Sequence, residues 1–546
     1  MSIAPALTSL LAAEDLAGVT HHAHGFPLLT AIVLVPAIAG VLVALVPRAR
    51  EEAVTIIGVA GTVITAVLAV FIVIEFKRAN VDYQLVSQHA WIKSLGISWH
   101  LGVDGISLWL VVLTGLLFPI ALLGPAVHKD RKAYTAWLLL LEAGVLGTFL
   151  SIDLFGFFIF FEIVLVPMYF LIGGWGYANR KYAALKFFVY TLAGSAFLLV
   201  GILSLVAMHA RATGVTTFDL AALANTPGIA ASKWLFMSFM VAFAVKVPVA
   251  PIHTWLPDAH TEAPTAGSIV LAGVMLKLGT YGILRFAIFL FPQAAKDLAP
   301  VWLTLAVFGM LYGAIVATMQ KDLKRLVAYS SVAHMGFIVL GLFAFTRLGL
   351  SGSVLQMINH GISTPALFLL VGWLYERRHT RQISELKGIW KVAPVMGGIF
   401  IFVTFSSIGL PGLNGFAGEF LILIGTFPTA RWWAVAGATA VVFAALYMLW
   451  AFQRVFQGEP DEANASTPDL TFRERAVIAP LLIVIVVMGV YPKPFLDRID
   501  PSVRHLLAHV EQNSNVREPA IVKGQLAEDA TNSASPNAGH PTEGTK

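Results

Sequence analysis

Two lysines stand where a lysine is costly. Lys246, in FAVKVPVAPIHTWLPDAH, and Lys277, in GVMLKLGTYG, lie inside long apolar stretches. A charged side chain at the centre of a bilayer costs about 2.5–3.5 kcal/mol on insertion scales, so such residues face a bundle interior where a partner or water compensates them. Glu142, Glu162 and Glu419 share that setting, as do His334 and His360, with His253 nearer a helix end. Their common chemistry is proton exchange. A lysine deprived of water loses affinity for its proton, and a nearby carboxylate restores it. One pKa unit is about 1.4 kcal/mol, so moving a carboxylate a few ångströms switches a buried lysine between loaded and empty. Histidine, with an unperturbed pKa of about 6.5, passes protons on.

Each residue also has a plainer reading. Lys246 and Lys277 could snorkel, although Lys246 is far from either end of its apolar run. Glu162 and Glu419 could be neutral, hydrogen-bonded acids. His334, His360 and His253 could be satisfied core residues, and Glu142 could cap a neighbour. Asp104, in GVDGIS, sits at a helix start, where the macrodipole stabilises an anion, and reads as structural.

The elements that hold these residues must be membrane helices. Of 546 residues, 58% are hydrophobic and 12% charged, whereas soluble domains average roughly 45–50% apolar and about 25% charged. A mean hydropathy of +0.79 over such a length requires lipid to cover the excess. There is no cysteine, which excludes thiolate-ligated iron–sulfur clusters, disulfides and c-type haem attachment. The start lacks a basic n-region and does not read as a cleavable signal peptide. His21, His22 and His24 could bind a metal, but a solvated tail is the simpler reading of residues 1–26.

A bilayer core about 30 Å thick needs roughly 20 apolar residues per helix. The pattern predicts an all-α polytopic protein with about fourteen spans, near 27–47, 53–75, 106–126, 134–152, 154–174, 184–208, 234–256, 264–290, 300–319, 325–345, 351–375, 394–425, 433–453 and 476–492. The seventh is broken by Pro248, Pro251 and Pro257. The twelfth is too long for one straight helix and carries Pro411, Gly412, Gly415 and Gly418. Unwound backbone at membrane depth is tolerated only where it is buried or lines a cavity, and discontinuous helices mark ion paths in transporters. With the N-terminus outside, alternate loops carry about nineteen basic residues inside and about nine outside, counting Lys324 and Arg285 among the loop residues. The positive-inside rule then places both termini on the non-cytoplasmic side. Residues 501–511 predict a short interfacial helix. From about Gln512 the chain reads as disordered, and 493–546 as a polar tail without a soluble domain.

The segments FFEIVLVPMYFLIGGWG, VKVPVAPIHTWLPDAHTEAPTAGSIVLAGVMLKLGTYGILR, DLKRLVAYSSVAHMGF, INHGISTPALFLLVGWLYERRHTR and IGLPGLNGFAGEFLIL resemble the antiporter-like subunits of respiratory complex I. That family also includes subunits of Mrp-type cation/proton antiporters and membrane-bound hydrogenases. The resemblance covers about residues 100–455. Glu419, where the sister chains L and N are similar to each other in having lysine, and an end soon after the fourteenth run set this chain apart from both. The resemblance implies two inverted five-helix repeats, spans 4–8 and 9–13 (residues 127–456), behind an N-terminal trio at 27–126 and before span 14 at 457–492. It implies that Glu162 pairs with Lys246, that Lys277 is the central relay, that His334 and His360 carry protons onward, and that Glu419 is the terminal group on the periplasmic side. It implies the inner (plasma) membrane of a bacterium as the location. The neighbours it implies are chains L and N, with FMN, iron–sulfur clusters and quinone in partner subunits and no cofactor or metal here. The alternative within the family is an Mrp-type antiporter or hydrogenase subunit. A b-type haem carrier using His334 and His360 would be a different class, disfavoured because these lie on adjacent runs. Nothing points to nucleic acid.

Overall fold

The computed structural model describes residues 27–127 and 129–519. The N-terminal segment, with its three histidines, and the tail from 520 onward lie outside the described residues. The chain is mostly helical: α1 (Leu28–Leu45), α2 (Glu51–Glu75), α3 (Leu108–Leu123), α4 (Arg131–Leu150), α5 (Leu154–Trp175), α6 (Arg180–Thr213), α7 (Lys233–Lys246), α8 (Trp255–Glu262), α9 (Thr265–Ile288), α10 (Pro292–Thr318), α11 (Leu323–Leu342), α12 (Arg347–Arg378), α13 (Pro394–Ser407), α14 (Asn414–Thr426), α15 (Arg431–Phe456), α16 (Phe472–Val490) and α17 (Lys493–Asn513). Among the described residues ten helices are long and apolar enough to cross a membrane, or eleven if the bent pair α16–α17 is one span.

The burial of these helices says which ones meet lipid. The apolar stretches of α9 and α12 are 100% buried, whereas that of α2 is 33% buried and exposes Ile56, Val67, Phe71 and Ile74. So α9 and α12 form the interior, and α1, α2, α5, α6 and α15 form the outer shell. Close approach inside depends on glycine. A Cβ at Gly361 of α12 would stand 2.8 Å from the carbonyl oxygen of Gly273 on α9. One at Gly279 of α9 would stand 2.9 Å from the Phe243 carbonyl oxygen on α7.

A hairpin interrupts the helical pattern. Strands β1 (Gln84–Ile92) and β2 (Ile97–Val103) pair antiparallel in the register Ser87↔Leu101 and His89↔Trp99. The expectation of an all-helical chain missed it, because it lies between apolar runs. Asp153 fixes it in place. Its Oδ1 caps α5 by accepting from Phe155 N and Gly156 N, both at 2.9 Å, and its Oδ2 accepts from Ser98 N of β2 at 3.1 Å. His100 of β2 meets the Asp219 carboxylate at 3.0 Å.

The predicted interfacial helix is longer than expected. α17 begins at Lys493 and turns 71° from α16. Its buried residues Ile499, Val503, Leu506, Leu507 and Val510 follow helical spacing. Asp500 pairs with Arg347 and accepts from Ser351 Oγ at 2.6 Å, pinning one end of α12. At the other end Arg377 pairs with Glu474 at 2.7 Å.

Arg285 and Lys324, counted as loop residues from sequence, are buried. Arg285 sits on the wholly buried α9, pairs with Asp104 at 2.5 Å, and lies over the rings of Tyr83 and Tyr281. Asp104 lies in the turn that leads into α3, where its Oδ1 accepts from Ile106 N and Ser107 N. Its second oxygen carries the ion pair.

Two expectations follow. Removing one partner of a buried pair strands the other, at about 3–5 kcal/mol. Arg285→Met should therefore lower the thermal midpoint of the detergent-solubilised protein sharply, and the double variant with Asp104→Leu should recover part of the loss. The second concerns Asp219. Burial alone would raise its carboxyl pKa, but hydrogen bonds from His100 and the Ala222 N–H outweigh burial and hold it below the usual range. Its hold on the hairpin is then complete above about pH 4 and is lost as pH falls through the depressed value. Amide exchange over residues 84–103, corrected for intrinsic rate, should be flat from about pH 8 to about pH 5 and rise only in stronger acid. Loosening on the alkaline side would contradict this assignment.

Candidate functional site

The buried ionisable residues fall into two groups. The first forms where α7 stops. Pro248 cannot donate to the Ala244 carbonyl, so Val249 N takes that carbonyl instead at 2.9 Å, and the Trp255 indole donates to the next one, of Val245, at 2.9 Å. The helix therefore ends at Lys246 with the carbonyls of Ala244 and Val245 satisfied. Lys246 is 2% exposed, its Nζ has no hydrogen-bond partner, and it lies 4.6 Å from the centroid of the Phe161 ring.

Glu162 is the residue after Phe161, so the ring and the carboxylate approach Lys246 from one turn of α5. Glu162 is half-buried. It lies within electrostatic reach of Lys246 and faces Ser195 of α6, without a contact ion pair to the lysine. α5 is interrupted at Val164, one turn before Pro167, whose missing N–H frees the Ile163 carbonyl.

The second group is larger and sits between α9, α11, α12 and α14. Lys277 is fully buried. It follows a π-helical stretch, Leu271–Met275, and its Nζ donates to the Ala272 carbonyl five residues back at 2.5 Å. A π turn widens the helix and recurs at functional sites; here the lysine takes up a carbonyl of the widened turn. Lys277 Nζ also meets His360 Nδ1 at 2.6 Å. The Gly273–Gly361 approach brings these two helices close enough for that bond.

From His360 the group continues. The His360 and His334 rings lie 5.8 Å apart, and His334 Nδ1 meets Glu419 Oε1 at 3.0 Å. Gln356 Nε2 donates to the same oxygen at 3.1 Å, and Asn359 Nδ2 donates to Gln356 Oε1 at 3.1 Å. The other Glu419 oxygen faces Gly409, in the break between α13 and α14. Gly409 and Gly412 have φ of +74° and +91°, which glycine adopts without strain. Asn414, the first residue of α14, ties the break to α12 and α13 through Ser363 and Ser406. The sequence places the break at Pro411 and Gly412 as expected, while Gly415 and Gly418 fall inside α14.

Five of the six predicted relay residues are buried and Glu162 is half-buried. Glu162 and Lys246 are together, and Lys277, His360, His334 and Glu419 are together. No hydrogen bond or ion pair among the described residues joins the two groups, although α7 and α9 pass closely at Gly279. Glu142 is fully buried with both carboxyl oxygens unpartnered, and His253 lies 5.1 Å from the Tyr312 ring with both nitrogens unpartnered. Neither belongs to a group.

Sequence reasoning missed His260, Gln356, Asn359 and Lys324. His260 is fully buried, stacks on Phe368 at 4.6 Å, and has both ring nitrogens unpartnered. It lies within electrostatic reach of Lys277, Lys324 and His360. Helical spacing held a signal: Lys324, Ser331 and His334, at i, i+7 and i+10, run along one side of α11.

Such an arrangement offers nitrogen and oxygen atoms that can exchange protons. The transmembrane family described as NADH:quinone oxidoreductase/Mrp antiporter matches residues 151–445. NADH-quinone oxidoreductase subunit M of Mycobacterium tuberculosis is 40% identical over 533 residues, covering 90% of this chain and 96% of that one. The subunit M of Pseudomonas aeruginosa is 46% identical over 425 residues, covering 76% and 83%. A chain of respiratory complex I from Thermus thermophilus with bound NADH superposes with a TM-score of 0.80 at 31% identity, covering 88% of this chain and 99% of that one. By length, identity and fold together, the chain belongs to the NADH:quinone oxidoreductase/Mrp antiporter transmembrane family, on its NADH-quinone oxidoreductase subunit M branch.

Proposed function

We propose that this chain is a proton-translocating subunit of the membrane arm of NADH-quinone oxidoreductase. The observation that carries the reading is the series Lys277, His360, His334 and Glu419 inside the bundle, hydrogen-bonded at its two ends, with the two imidazole rings 5.8 Å apart between them. An imidazole that accepts a proton at Nδ1 releases another from Nε2. His360 receives from Lys277 at Nδ1, and its Nε2 has no other partner. His334 presents Nδ1 to Glu419, and its Nε2 faces the Tyr447 hydroxyl at 3.5 Å. Each ring exchanges protons at its two nitrogens, and the handover between the rings is made through water or by rotation of an imidazole across the gap.

The Glu162–Lys246 pair is the switch through which a displacement elsewhere in the complex acts on the relay. Because the two do not touch, their separation is adjustable. Closing a lysine–carboxylate gap from about 8 to about 4 Å at an effective dielectric near 20 changes the interaction by about 2 kcal/mol, more than tenfold in proton occupancy. A small displacement of α5, already interrupted beside Glu162, then loads or empties Lys246.

The finer architecture follows from this reading. With α3 and α16 also counted as spans, the pairs α7–α8 and α13–α14, each one broken span, bring the ten to fourteen. They occupy matching places in two inverted five-span repeats, α4–α9 and α10–α15, within residues 127–456, behind 27–126 and before 457–492. Both termini lie on the non-cytoplasmic side of a bacterial plasma membrane, so the face bearing Lys129, Arg180 and Arg381 is cytoplasmic. Chains L and N are the neighbours. Redox chemistry, with FMN, iron–sulfur clusters and quinone, belongs to other subunits, and this chain takes part in catalysis as their non-redox partner.

In the complex reconstituted in proteoliposomes, Lys246→Ala or Glu419→Ala should lower the proton/electron ratio while assembly and NADH:quinone electron transfer persist. A full ratio in either variant would remove that residue from the path.

A further inference from the structure

One buried cation has no part in this relay. Lys324, in the first turn of α11, is 1% exposed. Its Nζ donates to the Ala263 carbonyl, at the end of α8, at 2.5 Å, and lies 5.0 Å from the centroid of the Tyr177 ring. Among the described residues it has no carboxylate within ion-pair distance. Asp322 is two residues away, but its carboxylate caps α11 and pairs with Arg381 at 3.2 Å. Arg381 lies over the same Tyr177 ring, at 4.5 Å. Lys324 and Arg381 thus share one ring, Arg381 takes the Asp322 carboxylate, and the other carboxylate within electrostatic reach of Lys324, Glu262, accepts from Asn179 N at 2.8 Å.

Tyr177 separates this lysine from a cleft. The cleft has a volume of about 540 Å³, and Lys129, Trp175, Tyr177, Thr265 and Tyr375 line it. Liquid water occupies roughly 30 Å³ per molecule, so the cleft has room for a column of solvent. One turn of α8 before the Ala263 carbonyl that Lys324 holds stands His260, stacked on Phe368 of α12 with both ring nitrogens unpartnered, and Lys324 and Lys277 both lie within its electrostatic reach.

We propose that this cleft is the mouth through which protons reach the Lys277–His360 pair, with Lys324 taking them up behind Tyr177 and His260 passing them inward. A proton leaves hydronium in the cleft for the neutral amine of Lys324. The resulting ammonium gives a proton to one His260 ring nitrogen as the other releases one to the neutral amine of Lys277. Rotation of the His260 ring then restores its tautomer, with one proton moved and no electron transferred. The proposal rests on the relay reading above and assigns its point of entry.

The test uses the whole complex in proteoliposomes. Arginine keeps the charge of Lys324 but does not release a proton. Lys324→Arg and Lys324→Gln should both reduce the proton/electron ratio to that of the Lys246→Ala complex. A full ratio in Lys324→Arg would make the lysine a structural charge and overturn the proposal. Where these variants do not assemble, a second arm decides. The chain has no cysteine, so Thr265→Cys introduces a single thiol in the cleft wall. A membrane-impermeant, cationic methanethiosulfonate reagent should label it, read on this chain, from the face bearing Arg180 alone. It should lower the ratio, and a reductant should restore it. Labelling that leaves the ratio unchanged, or a thiol that does not react from that face, would overturn the cleft as the mouth. A lowered ratio in Lys246→Ala beside a normal one in both Lys324 variants sinks the entry route and spares the relay. A normal ratio in all of them sinks both.

Discussion

In lipid, every backbone N–H and C=O must find a partner within the protein. That constraint organises this molecule. A helix can break at membrane depth only where other groups take up what the break frees. Val249 N and the Trp255 indole do so below Lys246. The same need gives the buried lysines their places. Lys277 satisfies the Ala272 carbonyl beside a π turn, and Lys324 satisfies the Ala263 carbonyl where α8 ends. In both cases an irregularity in the backbone and a buried ammonium group solve each other's problem. An amine held by a neutral carbonyl, rather than by a carboxylate, keeps its proton exchangeable.

The parts of this arrangement differ in how far they can be read from sequence. The breaks near Pro248 and Pro411 are local, because proline removes a donor wherever it stands. Lysine and glutamate inside apolar runs are equally legible, since the cost of burial attaches to the residue itself. The pairing of His360 with Lys277 is less so. It depends on two glycines 88 positions apart, Gly273 and Gly361, letting two backbones approach, and nothing local to either one records the other.

Charge near a helix start misleads in a specific way. Lys324 lies in the polar run KDLKR and looks like a loop residue, yet Asp322 caps the helix there and turns Lys324 inward. Arg285 looks like a flanking charge, but its partner Asp104 is 181 positions away, at the start of another helix. The hairpin at 84–103 escaped a search for apolar runs because its strands are held by polar anchors, Asp153 and Asp219, which belong to distant segments.

The anchoring of α12 bears on how it responds to force. With 32 residues it is a rod of about 48 Å, clamped near its ends by Asp500 and Glu474. A rod held at both ends cannot slide; load reaches it as flexure. Its most compliant point is where Pro365 removes the hydrogen bond to Gly361. His360 is the residue immediately before that hinge. Strain imposed on either clamp would therefore be concentrated on the imidazole that faces Lys277.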